Sequence, residues 1–153
     1  MATEITFTPQ VLGETEKALN AILIRELTAS GLSEHQWITM QLTIAAGGTV
    51  AREQLVDRLA GALKLGGAHA ERRVDELVTA GLLTFGDADG DGRVRVTEAG
   101  RRIHGRIRGA VAEITQRLWG DLPSVDLDTT GRTLATILSR ANAAFAPAGA
   151  DER

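Results

Sequence analysis

A change of hydrophobic period after Gly81 constrains the fold more than any other feature of the sequence. Before Gly81 the apolar residues recur at helical spacing. After Gly81, LLTF is typical of a short strand, GDADGDG of a turn, and RVRV of an alternating return strand, so a β-hairpin is expected.

Before Gly81, a break at LGG separates two short helices, LVDRLAGAL and AHAERRVDELVTA. Two short helices joined by a glycine-containing turn are typical of a helix-turn-helix.

Capping signals mark where helices begin. Serine and threonine side chains accept hydrogen bonds from the first turn of a helix, and proline suits that turn. Helices are therefore expected to start after Thr8, Ser33, Thr49 and Thr97, with Gln36 completing a capping box with Ser33. The last two helices carry regular apolar stripes, which are typical of packing seams. These stripes consist of Ile103, Ile107, Val111, Ile114 and Leu118, and of Leu134, Ile137, Leu138, Ala141 and Phe145.

Composition excludes several classes of protein. None of the 153 residues is a cysteine, so disulfides, thiolate metal sites and cysteine redox switches are impossible. The sequence has neither an apolar run long enough to span a membrane nor a secretion signal at its start, so we expect a cytoplasmic protein without membrane association. It also lacks a phosphate-binding glycine loop, a catalytic-triad spacing and a helical pair of histidines. We therefore expect no enzyme activity, no cofactor and no metal site.

Charge is distributed unevenly along the chain. The formal net charge is −3, but residues 93–108 contain six arginines and a single acidic residue, Glu98. Such asymmetry permits a local anion-binding face on an acidic protein. A solvated helix face is the plainer interpretation of the same pattern.

The segment DADGDGRVRVTE, residues 87–98, matches the loop pattern of an EF-hand calcium site. An EF-hand requires a helix on each side of its loop, whereas strand-like segments flank this turn. Glu98, the last candidate ligand, would instead begin the next helix, where a carboxylate favours the helix dipole. A hairpin turn is therefore favoured over a calcium site.

Four segments, taken in order, resemble the MarR family of bacterial winged-helix transcription regulators. GLSEHQW (31–37) is similar to the opening of the family's second helix, and LVDRLAGAL (55–63) to its first helix-turn-helix helix. RRVDELVTAGLL (72–83) is similar to the recognition helix, and DGRVRVTEAGRRI (91–103) to the wing and its return. The resemblance covers roughly residues 8–145. It implies a mainly α fold with a minor β part: a winged helix-turn-helix with a two-stranded β-wing and long N- and C-terminal dimerisation helices.

The resemblance also implies boundaries and partners. A dimerisation helix is expected over 1–31, the DNA-binding winged helix-turn-helix over 32–97, C-terminal dimerisation helices over 98–146, and a disordered tail over 147–153. The family forms homodimers on pseudo-palindromic operators in double-stranded DNA. The expected function is that of a repressor relieved by a small aromatic or phenolic ligand. The alternatives are a winged-helix interaction module without DNA binding and, less favoured, a calcium-responsive protein using Asp87–Glu98.

Six residues are expected to contact DNA. In the family, the arginine that matches Arg93 enters the minor groove, which suits a guanidinium, and Asp91 can hold that guanidinium by a charge-assisted pair. Arg72 aligns with a frequent arginine of the recognition helix and suits guanine. The other four are His69 and Arg73 on the same helix, and Arg52 and Arg95, which can meet phosphates.

The start of the recognition helix departs from the family pattern. Relatives commonly have serine and threonine there, whereas this chain has Gly66, Gly67, Ala68 and Ala70. Glu71 adds an anion facing a polyanion, and Asp87 and Asp89 would repel phosphate at the tip of the wing. We therefore expect DNA affinity that is modest or strongly dependent on the site.

Relatives often hold their ligand between the helical and winged regions. His35, Trp37 and Met40 are the candidates to line such a pocket, although apolar helix positions belong more often to the core. His69 and His104 are expected at the surface. Three scattered histidines do not predict a transition-metal site.

Overall fold

The structure is a computed structural model that describes residues 5–86 and 90–146. Six helices and a three-stranded sheet account for most of these residues. The elements are α1 (Pro9–Ala29), α2 (Glu34–Ala45), β1 (Thr49–Ala51), α3 (Arg52–Leu63), α4 (Gly67–Thr79), β2 (Leu83–Phe85), β3 (Arg93–Val96), α5 (Glu98–Trp119) and α6 (Ser124–Phe145). The predicted class, a mainly helical winged helix-turn-helix, is confirmed.

Three of the predicted caps are confirmed. Thr8 Oγ1 accepts a hydrogen bond from the backbone N–H of Val11 at 3.2 Å. Ser33 and Gln36 form both hydrogen bonds of a capping box at the start of α2. Thr97 Oγ1 accepts from the backbone N–H of Gly100 at 3.0 Å, as expected for the start of α5.

The fourth predicted cap, at Thr49, is wrong because Thr49 lies in a strand. β1 pairs antiparallel with β3, and the sheet order is β1-β3-β2. Gly47 and Gly48 both adopt positive φ angles, which turn the chain out of α2 into extended backbone. The backbone N–H of Val96 then donates to the carbonyl oxygen of Gly48 at 2.9 Å. The β2–β3 hairpin is the predicted wing, and β1 adds a third strand that was not predicted.

The hydrophobic core joins the helix-turn-helix to the sheet. Leu55 and Leu59 of α3 and Val74 and Leu77 of α4 are fully buried. The same core contains Leu27, Met40, Leu83, Val94 and Ile107 from the surrounding elements. A Cβ atom at Gly100 would collide with the carbonyl oxygen of Leu82. Glycine therefore lets the first turn of α5 approach the chain that leaves α4.

The chain divides into two compact units, Met1–Ala112 and Glu113–Arg153. The first contains α1 to β3 and most of α5. The second contains the end of α5 and all of α6, a helix without a single buried residue. The predicted domain boundaries remain predictions, and the predicted tail at 147–153 lies outside the described residues. Over the described part of the chain, no helix is both long enough and apolar enough to cross a membrane.

Candidate nucleic-acid interface

Helix α4 presents one face to the core and one to solvent. Ala70, Val74 and Leu77 are fully buried at helical spacing. The opposite face carries Ala68, Glu71, Arg72, Asp75 and Thr79, all of which are exposed. His69 is also exposed, as predicted. Of the predicted contacts on this helix, Arg72 and His69 are therefore available to an external partner.

Arg73 lies toward α2 instead. Its guanidinium is 3.0 Å from Glu76, and the same glutamate accepts a hydrogen bond from the Gln36 side chain at 3.2 Å. Because Gln36 also belongs to the capping box of α2, this network ties the middle of α4 to the start of α2. Arg73 Nε is buried, and no described residue accepts a hydrogen bond from it.

Arg52, predicted to meet a phosphate, contacts three neighbouring elements of its own chain. Its guanidinium donates to Asp75 Oδ1 on α4 at 2.9 Å and lies 4.9 Å from the ring centroid of Phe85 on β2. Its backbone N–H donates to the carbonyl oxygen of Gly92 at 3.1 Å. Neither Asp75 nor Phe85 was predicted as a site residue, since 23 and 33 positions separate them from Arg52 and no local pattern joins them.

The wing arginines differ in their partners. Arg93 Nε donates to Thr49 Oγ1 on β1 at 3.0 Å. The Asp91 carboxylate forms its ion pair with Arg95 and accepts the backbone N–H of Arg93 at 3.0 Å. The predicted side-chain pair between Asp91 and Arg93 is therefore wrong. The prediction fails because Thr49 on the neighbouring strand accepts a hydrogen bond from the Arg93 guanidinium. Asp91 therefore pairs with the guanidinium of Arg95.

Asp91 nevertheless supports the wing. The Arg95 hydrogen bond is the main cause that lowers the pKa of the Asp91 carboxyl group, and the backbone N–H of Arg93 lowers it further. The carboxylate links the residues that precede β3 to Arg95 within that strand. The wing tip itself, with the predicted acidic residues Asp87 and Asp89, lies outside the described residues.

Three residues were predicted to line a ligand pocket, and two of them belong to the core. Met40 is fully buried and Trp37 is 5% exposed. His35 is half-buried at the start of α2. The prediction that His104 lies at the surface is wrong, because it occupies the buried stripe of α5 between Gly100 and Ile107.

The His104 imidazole ring contacts two residues of α2: it stacks on Trp37 and is hydrogen-bonded to Gln41. The two ring centroids are 5.0 Å apart, and His104 Nε2 lies 2.6 Å from Gln41 Oε1. Burial lowers the pKa of His104, and the nearby positive charge of Arg108 lowers it further. A neutral histidine therefore joins α5 to α2 at the edge of the core.

A cavity of about 170 Å³ lies between the end of α1 and the middle of α5. Its lining is mixed: Ile107 and two alanines provide apolar surface, while Glu26, Ser30 and Arg106 provide polar groups. Arg106 donates a hydrogen bond to Ser30 Oγ at 3.4 Å. None of the three predicted pocket residues lines this cavity.

A calcium site has no support from the described part of its loop. Glu98 begins α5, as predicted, and lies 3.6 Å from Arg102, while Asp91 is paired with Arg95. Outside the gap at 87–89 and the two chain ends, no group of three or more metal-binding side chains occurs.

Solved structures of MarR-family regulators share this fold. A MarR family transcriptional regulator from Silicibacter pomeroyi DSS is 23% identical, with a TM-score of 0.73 over 89% of this chain and 90% of that one. CouR from Rhodococcus jostii RHA1, solved with p-coumaroyl-CoA, is 20% identical, with a TM-score of 0.69 over 83% and 88%.

An organohalide-sensing transcriptional regulator bound to 2,4-dichlorophenol is 13% identical, with a TM-score of 0.69 over 88% of this chain and 79% of that one. No protein-family model matches the sequence, and no curated protein matches it significantly. At these identities the likeness establishes the fold: a winged helix-turn-helix with long terminal helices, as in MarR-family regulators.

Proposed function

We propose that the chain is a MarR-family transcription regulator that binds double-stranded DNA. One observation carries this proposal: the solvent-exposed face of α4, with Arg72 and His69, adjoins a β-hairpin that carries Arg93. Buried residues of both elements, Val74 and Leu77 of α4 and Leu83 and Val94 of the hairpin, belong to one core. An exposed second helix and an adjacent hairpin match the geometry with which such proteins contact the major groove and the flanking minor groove.

Within this proposal, the side chains differ in role. Arg72 is available to contact guanine O6 and N7, and His69 lies one turn before it. Arg93 is oriented by Thr49 and is the candidate for the minor groove, where a narrow, electronegative channel attracts guanidinium groups. The Asp91–Arg95 pair stabilises the base of the wing, and Arg95 can also approach a phosphate.

We further propose a homodimer that acts on a pseudo-palindromic operator in the cytoplasm. Large apolar side chains are exposed at both ends of the chain: Ile5 and Phe7 before α1, and Val125, Leu138 and Phe145 on α6. Exposed apolar side chains that form a large patch usually mark an interaction site. A second copy of the chain would cover it and would place two α4 helices on two half-sites.

The cavity between α1 and α5 supports a ligand-responsive repressor. Its volume of about 170 Å³ is close to that of a cavity that accepts benzene, about 150 Å³. Arg106 and Ser30 offer hydrogen-bond donors to a phenol or carboxylate. Two proteins of the same fold were solved with p-coumaroyl-CoA and with 2,4-dichlorophenol. A single-ring aromatic or phenolic ligand that weakens DNA binding is therefore the proposed effector class.

Fluorescence anisotropy with labelled duplex from upstream of the chain's own gene tests the proposal. The wild type should bind saturably in the presence of a random competitor duplex and EDTA, and Arg72→Ala should weaken binding roughly tenfold, as expected for loss of one guanine contact. Arg25→Ala, on an exposed part of α1, removes the same charge and should bind like the wild type. Binding no tighter than to the random duplex would refute the regulator and favour a winged-helix protein-interaction module.

A further inference from the structure

Arg52 lies where the helix-turn-helix meets the wing. It is the first residue of α3 and directly follows β1. Its side chain is 20% exposed, whereas that of Asp75 is 63% exposed, so the arginine lies beneath its partner rather than above it. We call Arg52, Asp75 and Phe85 the brace.

The brace adds a surface contact between α4 and β2, two elements that the turn at residues 80–82 and the core already join. Asp75 belongs to the exposed face of α4, one turn beyond Arg72. Phe85 is the last residue of β2 and is 44% exposed, so its ring contacts Arg52 at the surface of the hairpin. The Arg52 guanidinium lies over this ring, 4.9 Å from its centroid, and bonds Asp75, two interactions that a guanidinium combines better than an ammonium group does. The backbone N–H of Arg52 also donates to the carbonyl oxygen of Gly92, directly before β3.

The geometry points to Arg52 as a positioning residue that sets the wing relative to the recognition helix and does not itself bind phosphate. This inference rests on the proposed DNA-binding function. It also explains why the proposed DNA-binding face of α4 carries the acidic Asp75. The Asp75 carboxylate orients the Arg52 side chain, and the Arg52 charge neutralises that carboxylate.

The two possible roles of Arg52 predict opposite effects of Asp75→Asn. If Arg52 contacted a phosphate, loss of the competing carboxylate would free the guanidinium and tighten DNA binding. If Arg52 positions the wing, the same substitution loosens the brace and weakens binding. Asp57→Asn, at an exposed position of α3, is the matched control, because it removes one negative charge from the same region without touching the brace.

Salt dependence separates the roles a second time. Each phosphate contact contributes about 0.9 to the slope of log K against log salt concentration. Arg52→Ala should weaken binding by about three- to tenfold, the size expected for losing a cation–π contact and a surface ion pair. The salt slope should stay unchanged. Arg52→Lys keeps the charge but loses the guanidinium group that both lies over Phe85 and bonds Asp75, so it should restore little of the binding.

The experiment measures anisotropy of the labelled upstream duplex over a range of salt concentrations with the wild type, R52A, R52K, D75N, D57N and the double variant R52A/D75N. We expect D75N to bind more weakly than D57N, R52A to keep the wild-type slope, and the double variant to bind no more weakly than R52A. Tighter binding by D75N than by D57N, or a lower slope in R52A, would overturn the positioning role alone. If the wild type shows no preference for the upstream duplex over a random one, the proposed function fails and the positioning role fails with it.

Discussion

The helix-turn-helix region and α6 differ in how much of their apolar surface the chain covers by itself. In α3 and α4, five apolar side chains are fully buried against α2, the sheet and each other. In α6, which is nearly twice as long, no residue is buried, and Leu138 is 62% exposed. Both helices of the first region thus have their partners within the chain. The exposed apolar side chains of α6 are the physical basis of the proposed dimer.

Truncation of a core residue should give the largest effect. Leu55 of α3 is fully buried, so Leu55→Ala should lower the free energy of unfolding by about 2–5 kcal/mol through lost burial and a residual cavity. Denaturant unfolding with far-UV circular dichroism measures this change. Leu55→Ile keeps the volume and should cost less than about 1.5 kcal/mol. A loss below about 1 kcal/mol for the alanine variant would show that the helix-turn-helix is less closed than the structure indicates.

A charge introduced on the apolar stripe of α6 should weaken dimer formation. Leu138→Glu would bury an unpaired carboxylate in a dimer interface, which is strongly unfavourable, and should raise the dimer dissociation constant at least about tenfold. Light scattering coupled to size-exclusion chromatography, over a range of protein concentrations, measures it. Thr136→Glu introduces the same charge two positions earlier, on the opposite side of the helix, and should leave the dimer intact. Equal behaviour of the two variants would remove the apolar stripe of α6 from the interface.

The comparison also shows what sequence can and cannot predict here. The capping box of Ser33 and Gln36 and the RVRV strand are encoded by neighbours in sequence, and the structure confirms both. Of the stripe predicted for α5, Ile107 is buried, whereas Leu118 is 45% exposed. Strand β1 has only three residues and exists because β3, more than forty positions later, pairs with it. No local pattern marks such a strand, and Thr49 after two glycines looks like a helix cap.

The candidate site was harder to predict than the fold for the same reason. Exposure of Arg72 and His69 follows from the helical period of α4. The partners of Arg52, Asp91 and Arg93 depend on which side chains the fold brings together, and charge pairs at the surface carry no sequence period. His104 was misplaced because polarity suggested the surface, whereas its position on the buried stripe of α5 and its contacts with Trp37 and Gln41 decide its burial.

The buried His104 yields the smallest predicted effect, which tests whether the edge of the core is as closed as its centre. Burial lowers the pKa of His104 in the folded state, whereas the unfolded chain titrates near the ordinary value of about 6.5. The unfolded state therefore binds more protons below that pH. Stability should be unaffected by this group above pH about 6.5 and should decrease below it, by no more than about 1.4 kcal/mol per pH unit.

Urea unfolding above and below pH about 6.5, followed by Trp37 fluorescence in a Trp119→Phe background, measures this dependence. His104→Gln removes the titrating ring and should flatten the curve in this pH range, whereas His69→Gln, at an exposed position of α4, should leave it as in the wild type. If the wild type and His104→Gln lose stability in parallel on acidification, then the ring is open to water in the folded chain. The link between α2 and α5 would in that case resemble the exposed surface of α6 more than the closed core of the helix-turn-helix.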